Sequence, residues 1–329
     1  MTAACPQSLP SNVSVRDLEP DQGSASQRLL EGLSGAQKQI NPKWFYDEHG
    51  SELFEQITRL PEYYPTRTER RIFCEHAEAI AAACGEGRTL LEPGSGSCEK
   101  IRLLLDALRP GSYMPIDISA DFLFSAAIEL ANEYPWLQVD AVCADFAAGW
   151  DFLSHYPASS RVVFYPGSTL GNFEPAGAVG FLTDLMPLLG ESGGVLIGVD
   201  RHKDKQMLEA AYNDAQGVTA QFNLNVLRRI NALCDAQFDL AAFEHRAVYD
   251  TVKRRIEMHL VSTRSQRVRV AGKELSFASG ESIHTENSYK YSEQDFHELA
   301  RKAGFRVAAT WTDRDELFAV YYLEPQREP

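Results

Sequence analysis

The chain has 329 residues, of which 44% are hydrophobic and 24% are charged, a composition typical of a folded globular protein. Its net charge of −14 disfavours a nucleic-acid partner, and no basic stripe offsets that charge. No run approaches the roughly 18 consecutive apolar residues of a membrane-spanning helix, and the N-terminal residues lack the basic-then-apolar pattern of a signal peptide. We therefore expect a cytoplasmic protein that binds a small molecule, with no nucleic acid and no membrane.

The six cysteines show neither C-x-x-C spacing nor the Cys/His spacing of a metal site. Reduced thiols and no bound metal are the simplest expectation. Nothing in the sequence demands an oligomer, so we expect a monomer.

Residues 1–25 are polar and carry Pro, Ser, Asn, Asp and Gly throughout, which predicts a flexible N-terminal segment. Helical spacing begins at Ser26, and an aromatic-rich stretch follows over 42–69. Ser51 is expected to cap a helix inside this stretch. The aromatic residues favour a lid or a wall of the substrate site. The alternative is that they only pack in the hydrophobic core. They are Trp44, Phe45, Tyr46 and Tyr63.

A glycine-rich loop containing Gly94, Ser95 and Gly96 joins a predicted strand to a predicted helix. The two glycines let backbone N–H groups approach a ligand. A dinucleotide site wants a third glycine where this chain has Glu99. Together with Glu92 before the glycines, this favours S-adenosylmethionine, which has no phosphate and carries an α-ammonium and a sulfonium. Taken alone, the loop is also compatible with an ordinary glycine turn and, less well, with a nicotinamide oxidoreductase.

Two further predicted strands, over 112–119 and 137–146, end in acidic residues. Asp117 stands where a doubly wound sheet places the acid that binds ribose hydroxyls. Asp145 can accept a hydrogen bond from an adenine amino group, and Phe146 can lie on the adenine ring. Each acid alone could be a surface residue, but acids at successive strand ends favour a nucleoside site.

The fourth predicted strand leads into the loop 166–172, which ends at Asn172. This loop lacks the Asp/Asn-Pro-Pro-Tyr/Phe arrangement that grips an exocyclic base amine, which argues against a nucleic-acid methylase. The neutral amide of Asn172 is suited to hold a carboxylate or an amine.

The remaining pattern predicts a fifth strand, helices over 204–235, antiparallel strands over 243–277, and a terminal helix and hairpin. We therefore predict an α/β fold, with a class I Rossmann-like methyltransferase sheet and a second α+β substrate-binding domain. The N-terminal segment and an insertion form that second domain. The predicted bounds are 26–67 and 203–290 for the substrate-binding domain, and 68–202 and 291–325 for the Rossmann-like domain.

Several contiguous motifs resemble those of the S-adenosylmethionine-dependent histidine Nα-methyltransferases, over a region from about residue 25 to the C-terminus. These motifs are WFY at 44–46, LPEYYPTR at 60–67, GSGSCEK at 94–100, PGSTLGN at 166–172, YNDAQGVTA at 212–220 and TENS at 285–288. The resemblance implies three successive methylations of the α-amine of L-histidine. The product would be hercynine, the first intermediate of ergothioneine biosynthesis.

The family pattern also implies roles for individual residues. Those that would bind the cofactor are Tyr46, Gly94, Ser95, Gly96, Lys100, Asp117, Asp145 and Phe146. Those that would bind the substrate are Tyr63, Gly167, Asn172, Tyr212, Met258, Glu286, Asn287 and Ser288. Tyr63, Asn172 and Tyr212 would hold the amino-acid end, and Glu286 and Ser288 the imidazole. Tyr46 and Asn172 are the catalytic candidates.

Methyl transfer is an in-line displacement that needs alignment and exclusion of water, and it needs no covalent nucleophile. The amine must be unprotonated, a form that a nearby sulfonium favours. Glu286 facing an imidazole N–H would distinguish histidine from apolar amino acids. Two alternatives stay open: an N-methyltransferase of the same fold that acts on another amino acid such as tryptophan, and a non-catalytic regulatory protein that binds the cofactor.

Overall fold

A computed structural model describes residues 9–18, 25–156 and 160–326, and the structural statements below concern these residues. The strands are β1 (Val13–Asp17), β2 (Lys38–Gln39), β3 (Thr89–Pro93), β4 (Ser112–Asp117), β5 (Gln138–Cys143), β6 (Arg161–Tyr165), β7 (Gly194–Asp200), β8 (Phe243–Asp250), β9 (Arg255–Ser262), β10 (Gln266–Val270), β11 (Lys273–Phe277), β12 (Ser282–Tyr289), β13 (Phe305–Thr312) and β14 (Phe318–Pro325). The α-helices are α1 (Ala25–Leu33), α2 (Glu48–Thr58), α3 (Tyr64–Cys84), α4 (Glu99–Arg102), α5 (Leu105–Leu108), α6 (Ala120–Glu133), α7 (Pro175–Leu185), α8 (Lys205–Tyr212), α9 (Val218–Cys234) and α10 (Glu293–Lys302).

The main sheet has eight strands in the order β1-β5-β4-β3-β6-β7-β14-β13. Neighbouring strands from β1 to β7 pair in parallel, whereas β14 pairs antiparallel with both β7 and β13. The chain builds outward from β3 to β5 and then returns to β6, so the strand order reverses between β3 and β6. Ligands of doubly wound sheets bind at the carboxyl ends of the strands at this point. The predicted α/β class and terminal hairpin are confirmed.

Strand β1 corrects the prediction of a flexible N-terminal segment, which is wrong for residues 13–17. Val13 and Val15 pair with Val139 and Ala141 of β5. The side-chain amide of Asn12 donates to the carbonyl oxygens of Ala131 and Leu137, each at 2.9 Å, and anchors the segment. The polar composition concealed this edge strand, while residues 1–8 and 19–24 of the prediction lie outside the described residues.

Helices cover both faces of the main sheet, as a largely parallel sheet with buried strands requires. Apolar residues of α3, α5 and α6 pack on one face, and those of α7 and α10 pack on the other. Because both faces are covered, a ligand can approach the sheet only at its edges and strand ends.

A separate four-stranded sheet has the order β2-β12-β9-β8, and β10 and β11 form a hairpin. Its apolar cluster combines residues from two distant stretches of the chain, 29–64 and 208–283, and includes the apolar residues of α9. This layer lies beside the carboxyl ends of the main-sheet strands, because β12 continues into a bridge between Tyr291 and Arg201, directly after β7.

Helix α2 begins at Glu48, and Asp47 is its N-cap because a side-chain oxygen accepts a hydrogen bond from Gly50 N at 2.7 Å. The same oxygen accepts a bond from the amide of Asn225 at 2.8 Å. The prediction that Ser51 caps this helix is therefore wrong, since Ser51 lies buried within its first turns. Within the described residues, no helix combines the length and apolarity needed to cross a bilayer.

Candidate active site

A pocket lies between the carboxyl end of β6 and the second sheet. The loop after β6, the aromatic stretch before α3, helices α8 and α9, and strands β9 and β12 all contribute to it. Its walls are formed by Tyr46, Phe54, Ile57, Tyr63, Gly167, Ser168, Thr169, Asn172, Ala211, Tyr212, Thr219, Phe222, Met258, Glu286 and Ser288. The structure thus brings together all of the predicted substrate-binding residues except Asn287.

The aromatic stretch divides between the core and the pocket. Trp44 and Phe45 are buried in the apolar cluster of the second sheet, whereas Tyr46 and Tyr63 line the pocket. Burial raises the pKa of both tyrosines well above the usual value, so their hydroxyl groups keep their protons at neutral pH. The pocket wall here is therefore uncharged, with hydroxyl groups that can donate or accept hydrogen bonds.

Glu286 and Ser288 lie two residues apart on β12 and therefore face the same side of the sheet. Met258 of β9 pairs with Glu286 and forms the neighbouring wall. Burial raises the pKa of Glu286 to about 7, although the charge of Lys290 acts in the opposite direction. The sequence pattern predicts this arrangement because alternate residues of a strand share a face.

Asn287 points to the opposite face of β12 for the same reason. Its side-chain amide donates to Glu174 Oε1 at 3.2 Å. It lines a second cavity together with His259 and His284, and Asn172 and Glu286 line both this cavity and the first pocket. Asn287 is therefore absent from the walls of the first pocket, and its substrate role stays a prediction.

The glycine loop lies at the ends of β3 and β4. Gly94 and Gly96 have φ values of +71° and +52°, and a Cβ built on either would meet nothing within 4 Å. Asp117, at the end of β4, accepts hydrogen bonds from Gly96 N at 3.0 Å and Ser119 N at 3.1 Å. An open main-chain cradle beside a carboxylate at a strand end fits a ligand with a ribose, so the residues present suit S-adenosylmethionine.

Glu92 does not provide the negative charge that the sequence interpretation assigned to the loop. It is buried, and Tyr113 donates a hydrogen bond to its Oε2 at 2.5 Å. Burial raises the pKa of Glu92 to about 8, which keeps the carboxyl group mostly protonated at neutral pH. Glu92 therefore contributes a hydrogen bond between neutral groups, which links the residue before the glycine loop to Tyr113 of β4.

Lys100, predicted to bind the cofactor, connects the glycine loop with the loop after β6. Its Nζ lies 2.8 Å from Oε2 of the fully buried Glu69, and Glu69 Oε1 accepts a hydrogen bond from Gly167 N at 2.7 Å. Gly167 has a φ of +80°, and a Cβ there would lie 2.6 Å from Lys100 Nζ. Sequence reasoning missed Glu69, although it stands two residues after the tyrosine-rich motif at 60–67.

Asp145 and Phe146 follow β5, which pairs with β4 in the main sheet. Asp145 accepts a hydrogen bond from Ala147 N at 3.1 Å and forms an ion pair with Lys43 Nζ at 2.8 Å. Phe146 is half-buried, and its ring centroid lies 5.9 Å from that of Trp150. Both residues are at the predicted edge of the sheet, and Lys43 is a neighbour that the sequence did not indicate.

Asp200 organises a buried ionic network that the sequence did not predict. This carboxylate at the end of β7 accepts hydrogen bonds from Tyr64 OH at 2.8 and 2.7 Å. It pairs with Lys203 and, at 2.7 Å, with Lys290. Burial alone would raise the pKa of Asp200, but the two lysines outweigh it and lower that pKa. The one available signal was an acid at the end of a buried strand.

Sequence alignments to three named proteins span most of the chain. The histidine Nα-methyltransferase of Mycolicibacterium smegmatis is 45% identical over 288 residues, which are 86% of this chain and 89% of that protein. Ergothioneine biosynthesis protein 1 of Neurospora crassa is 31% identical over 302 residues, or 88% of this chain and 33% of that protein. The 4-dimethylallyltryptophan N-methyltransferase of Epichloe festucae var. lolii is 27% identical over 325 residues, covering 90% of this chain and 93% of that protein.

A family model matches the same region. It describes histidine-specific, S-adenosylmethionine-dependent methyltransferases and aligns with residues 25–325, which include both the glycine loop and the pocket. By this match and by its identity to the named relatives, the chain belongs to the family of histidine-specific, S-adenosylmethionine-dependent methyltransferases.

Proposed function

We propose that this enzyme transfers three methyl groups from S-adenosylmethionine to the α-amine of L-histidine, giving hercynine, in the first step of ergothioneine biosynthesis. The observation that carries the proposal is the placement of Glu286 and Ser288 in one pocket with Tyr63 and Asn172. Glu286 and Ser288 offer this pocket a carboxylate and a hydroxyl for a ring with two nitrogens. Tyr63 and Asn172 offer neutral polar groups for an amino acid's amine and carboxylate.

The carboxyl ends of β3, β4 and β5, which we call the cofactor edge, carry most of the residues predicted to bind S-adenosylmethionine. Asp117 accepts from ribose hydroxyls, and Asp145 and Phe146 hold the adenine. The Gly94–Gly96 loop offers main-chain N–H groups, and Lys100 offers an ammonium for the cofactor's carboxylate. Bound S-adenosylmethionine supplies the electrophilic methyl group and a positive sulfonium.

The amine is held without a strong base. Tyr46 and Tyr63 keep their protons, and Asn172 is neutral, so none of these three groups adds a negative charge that would stabilise the protonated amine. Their hydroxyl and amide groups orient the nitrogen lone pair. The aromatic wall of Tyr46, Phe54 and Phe222 excludes water from the reacting atoms.

A tryptophan-type substrate is disfavoured by Glu286. An indole offers one N–H and no bare ring nitrogen, so Ser288 and Glu286 could not both be paired. The indole N–H would pair with Glu286 and leave the Ser288 hydroxyl without an acceptor, and a polar group left unpaired in a buried pocket costs free energy. A purely regulatory role is disfavoured because the cofactor edge and the substrate pocket are both present.

We further propose that the protein acts in the cytoplasm as a monomer on a free amino acid, without nucleic acid, membrane or metal. The acidic charge of the chain and its free cysteines at positions 74, 84, 98, 143 and 234 support this setting. We also propose the division into domains at 26–67 with 203–290 and at 68–202 with 291–325, which the separate apolar clusters support.

Mass spectrometry of the purified protein incubated with S-adenosylmethionine and each of the twenty amino acids tests the proposal. We expect mass gains of up to three methyl groups on histidine alone. Methylation of a different amino acid would reject the assignment of the imidazole pocket. Cofactor binding with no product would favour the regulatory alternative.

A further inference from the structure

A buried lysine lies directly behind the substrate pocket. The Lys290 side chain has no exposed surface, and its Nζ lies 2.7 Å from Asp200 Oδ2. The same ammonium donates to Ser288 Oγ at 2.7 Å and to Tyr212 OH at 3.1 Å. An ammonium has three N–H donors and no acceptor. These three contacts therefore use every hydrogen that Lys290 can donate.

The surrounding charges keep this ammonium in place. Asp200 provides the opposite charge, and it also pairs with Lys203. Two lysines and one carboxylate leave one positive charge in excess behind the pocket. Glu286 is the acid that faces this charge from within the pocket, since Lys290 acts on its ionisation.

The hydrogen bonds that Ser288 accepts determine whether its hydroxyl can donate to a ligand or accept from one. The hydroxyl oxygen has two lone pairs and one hydrogen. Lys290 donates to one lone pair, and Tyr212 OH donates to the other at 2.8 Å. No hydrogen bond from Ser288 Oγ to another group is found among the described residues. The serine hydrogen is therefore left for a ligand in the pocket that Ser288 lines.

Glu286, when ionised, can only accept hydrogen bonds. The pocket thus presents one donor, Ser288, and one acceptor, Glu286, on the same face of β12. A neutral imidazole has one N–H and one bare nitrogen. For a given orientation of the ring, only one tautomer satisfies both groups, with the N–H toward Glu286 and the bare nitrogen toward Ser288.

We infer that Lys290 is a positioning residue that determines specificity: by saturating Ser288 together with Tyr212, it makes the serine a donor and so selects a ring with a bare nitrogen. The inference rests on the proposed function, because it assigns the ring of the histidine substrate to this end of the pocket. Without the lysine, the Ser288 hydroxyl can turn and donate to Tyr212 OH. A bare ring nitrogen then brings no advantage.

Binding measurements with histidine analogues test the inference. Pyrrolylalanines carry a ring N–H and no bare nitrogen, whereas thiazolylalanines carry a bare nitrogen and no N–H. Calorimetric titration of each isomer, with S-adenosylhomocysteine present, gives dissociation constants independent of turnover. We expect the wild type to bind histidine at least about tenfold more tightly than either class. In Lys290→Met, the preference over pyrrolylalanines should fall to within about threefold, while the preference over thiazolylalanines persists.

A purely structural role for the lysine would weaken all ligands alike, so the change in selectivity is the informative result. Ser288→Ala should reproduce the loss of preference over pyrrolylalanines. Tyr212→Phe should lower that preference as well, because the loss of the Tyr212 hydroxyl leaves one lone pair of Ser288 Oγ free to accept a ring N–H. If thermal unfolding shows that Lys290→Met does not fold, the double variant Lys290→Met/Asp200→Asn removes the ion pair as a unit and serves instead.

Unchanged preference over pyrrolylalanines in a folded Lys290 variant, or in Ser288→Ala, would overturn the inference. Failure of the wild type to bind histidine at all is a different result, since it would reject the proposed function on which the inference depends.

Discussion

Replacing Glu286 by glutamine keeps the shape of the side chain and removes its charge. Among the described residues, no side chain donates a hydrogen bond to the Glu286 carboxylate, so its oxygens are left to accept hydrogen bonds from a ligand in the pocket that it lines. A hydrogen bond to a charged group contributes about 1.5–3 kcal/mol, and each 1.4 kcal/mol corresponds to a factor of about ten. We therefore expect the KM for histidine to rise at least about tenfold in Glu286→Gln.

The rate constant kcat should fall much less, because the ring contact is remote from the amine that reacts. Steady-state kinetics with histidine, supported by calorimetric dissociation constants, would separate the two effects. Glu274→Gln is a matched control, since it makes the same change at an exposed position of β11. A histidine KM in Glu286→Gln within twofold of the wild type would refute the assignment of Glu286 to the imidazole.

Three further predictions concern the supports of the site and the fold. Gly167→Ala should weaken S-adenosylmethionine binding by about tenfold or more in calorimetry, because the new Cβ would lie 2.6 Å from Lys100 Nζ at a φ of +80°. Unchanged affinity would contradict the role of the Lys100 contact. Gly180→Ala is the control, since a Cβ at that position meets nothing within 4 Å. The raised pKa of Glu92, about 8, means that the folded protein holds this proton more tightly than the unfolded chain. Its stabilising contribution is therefore complete below about pH 4.5 and is lost as the pH rises to about 8. In urea unfolding, the free energy of unfolding should decline less over this range in Glu92→Gln than in the wild type. Equal declines in the two proteins would contradict the raised pKa of Glu92. Asp47→Ala should lower the free energy of unfolding by about 1 kcal/mol through loss of the N-cap, and an equal free energy of unfolding in the two proteins would show that the cap is unimportant.

The positions that could be predicted from sequence are those governed by local periodicity and by sheet topology. Asp117 and Asp145 follow buried strands, and parallel strands bring their carboxyl ends to one edge. Glu286 and Ser288 share a face because strand side chains alternate. The same alternation places Asn287, assigned to the substrate by motif alone, on the opposite face of β12 from Glu286 and Ser288.

The supporting residues could not be predicted, because their partners are distant in the chain. Glu69 holds Gly167 across 98 positions, and Tyr64 reaches Asp200 across 136 positions. Polar composition also hid strand β1, whose position depends on pairing with β5 and on the Asn12 amide. Contacts of this kind depend on tertiary packing and leave no periodic signal in the sequence.

The most direct test of the central claim is the position of the transferred methyl groups. The enzyme would be incubated with S-adenosylmethionine labelled with carbon-13 in its methyl group and with histidine labelled with nitrogen-15 at the α-amine. The account predicts a product in which three equivalent labelled methyl carbons couple to the α-nitrogen. Methyl carbons that show no coupling to the α-nitrogen, and that lie on the imidazole ring, would contradict it.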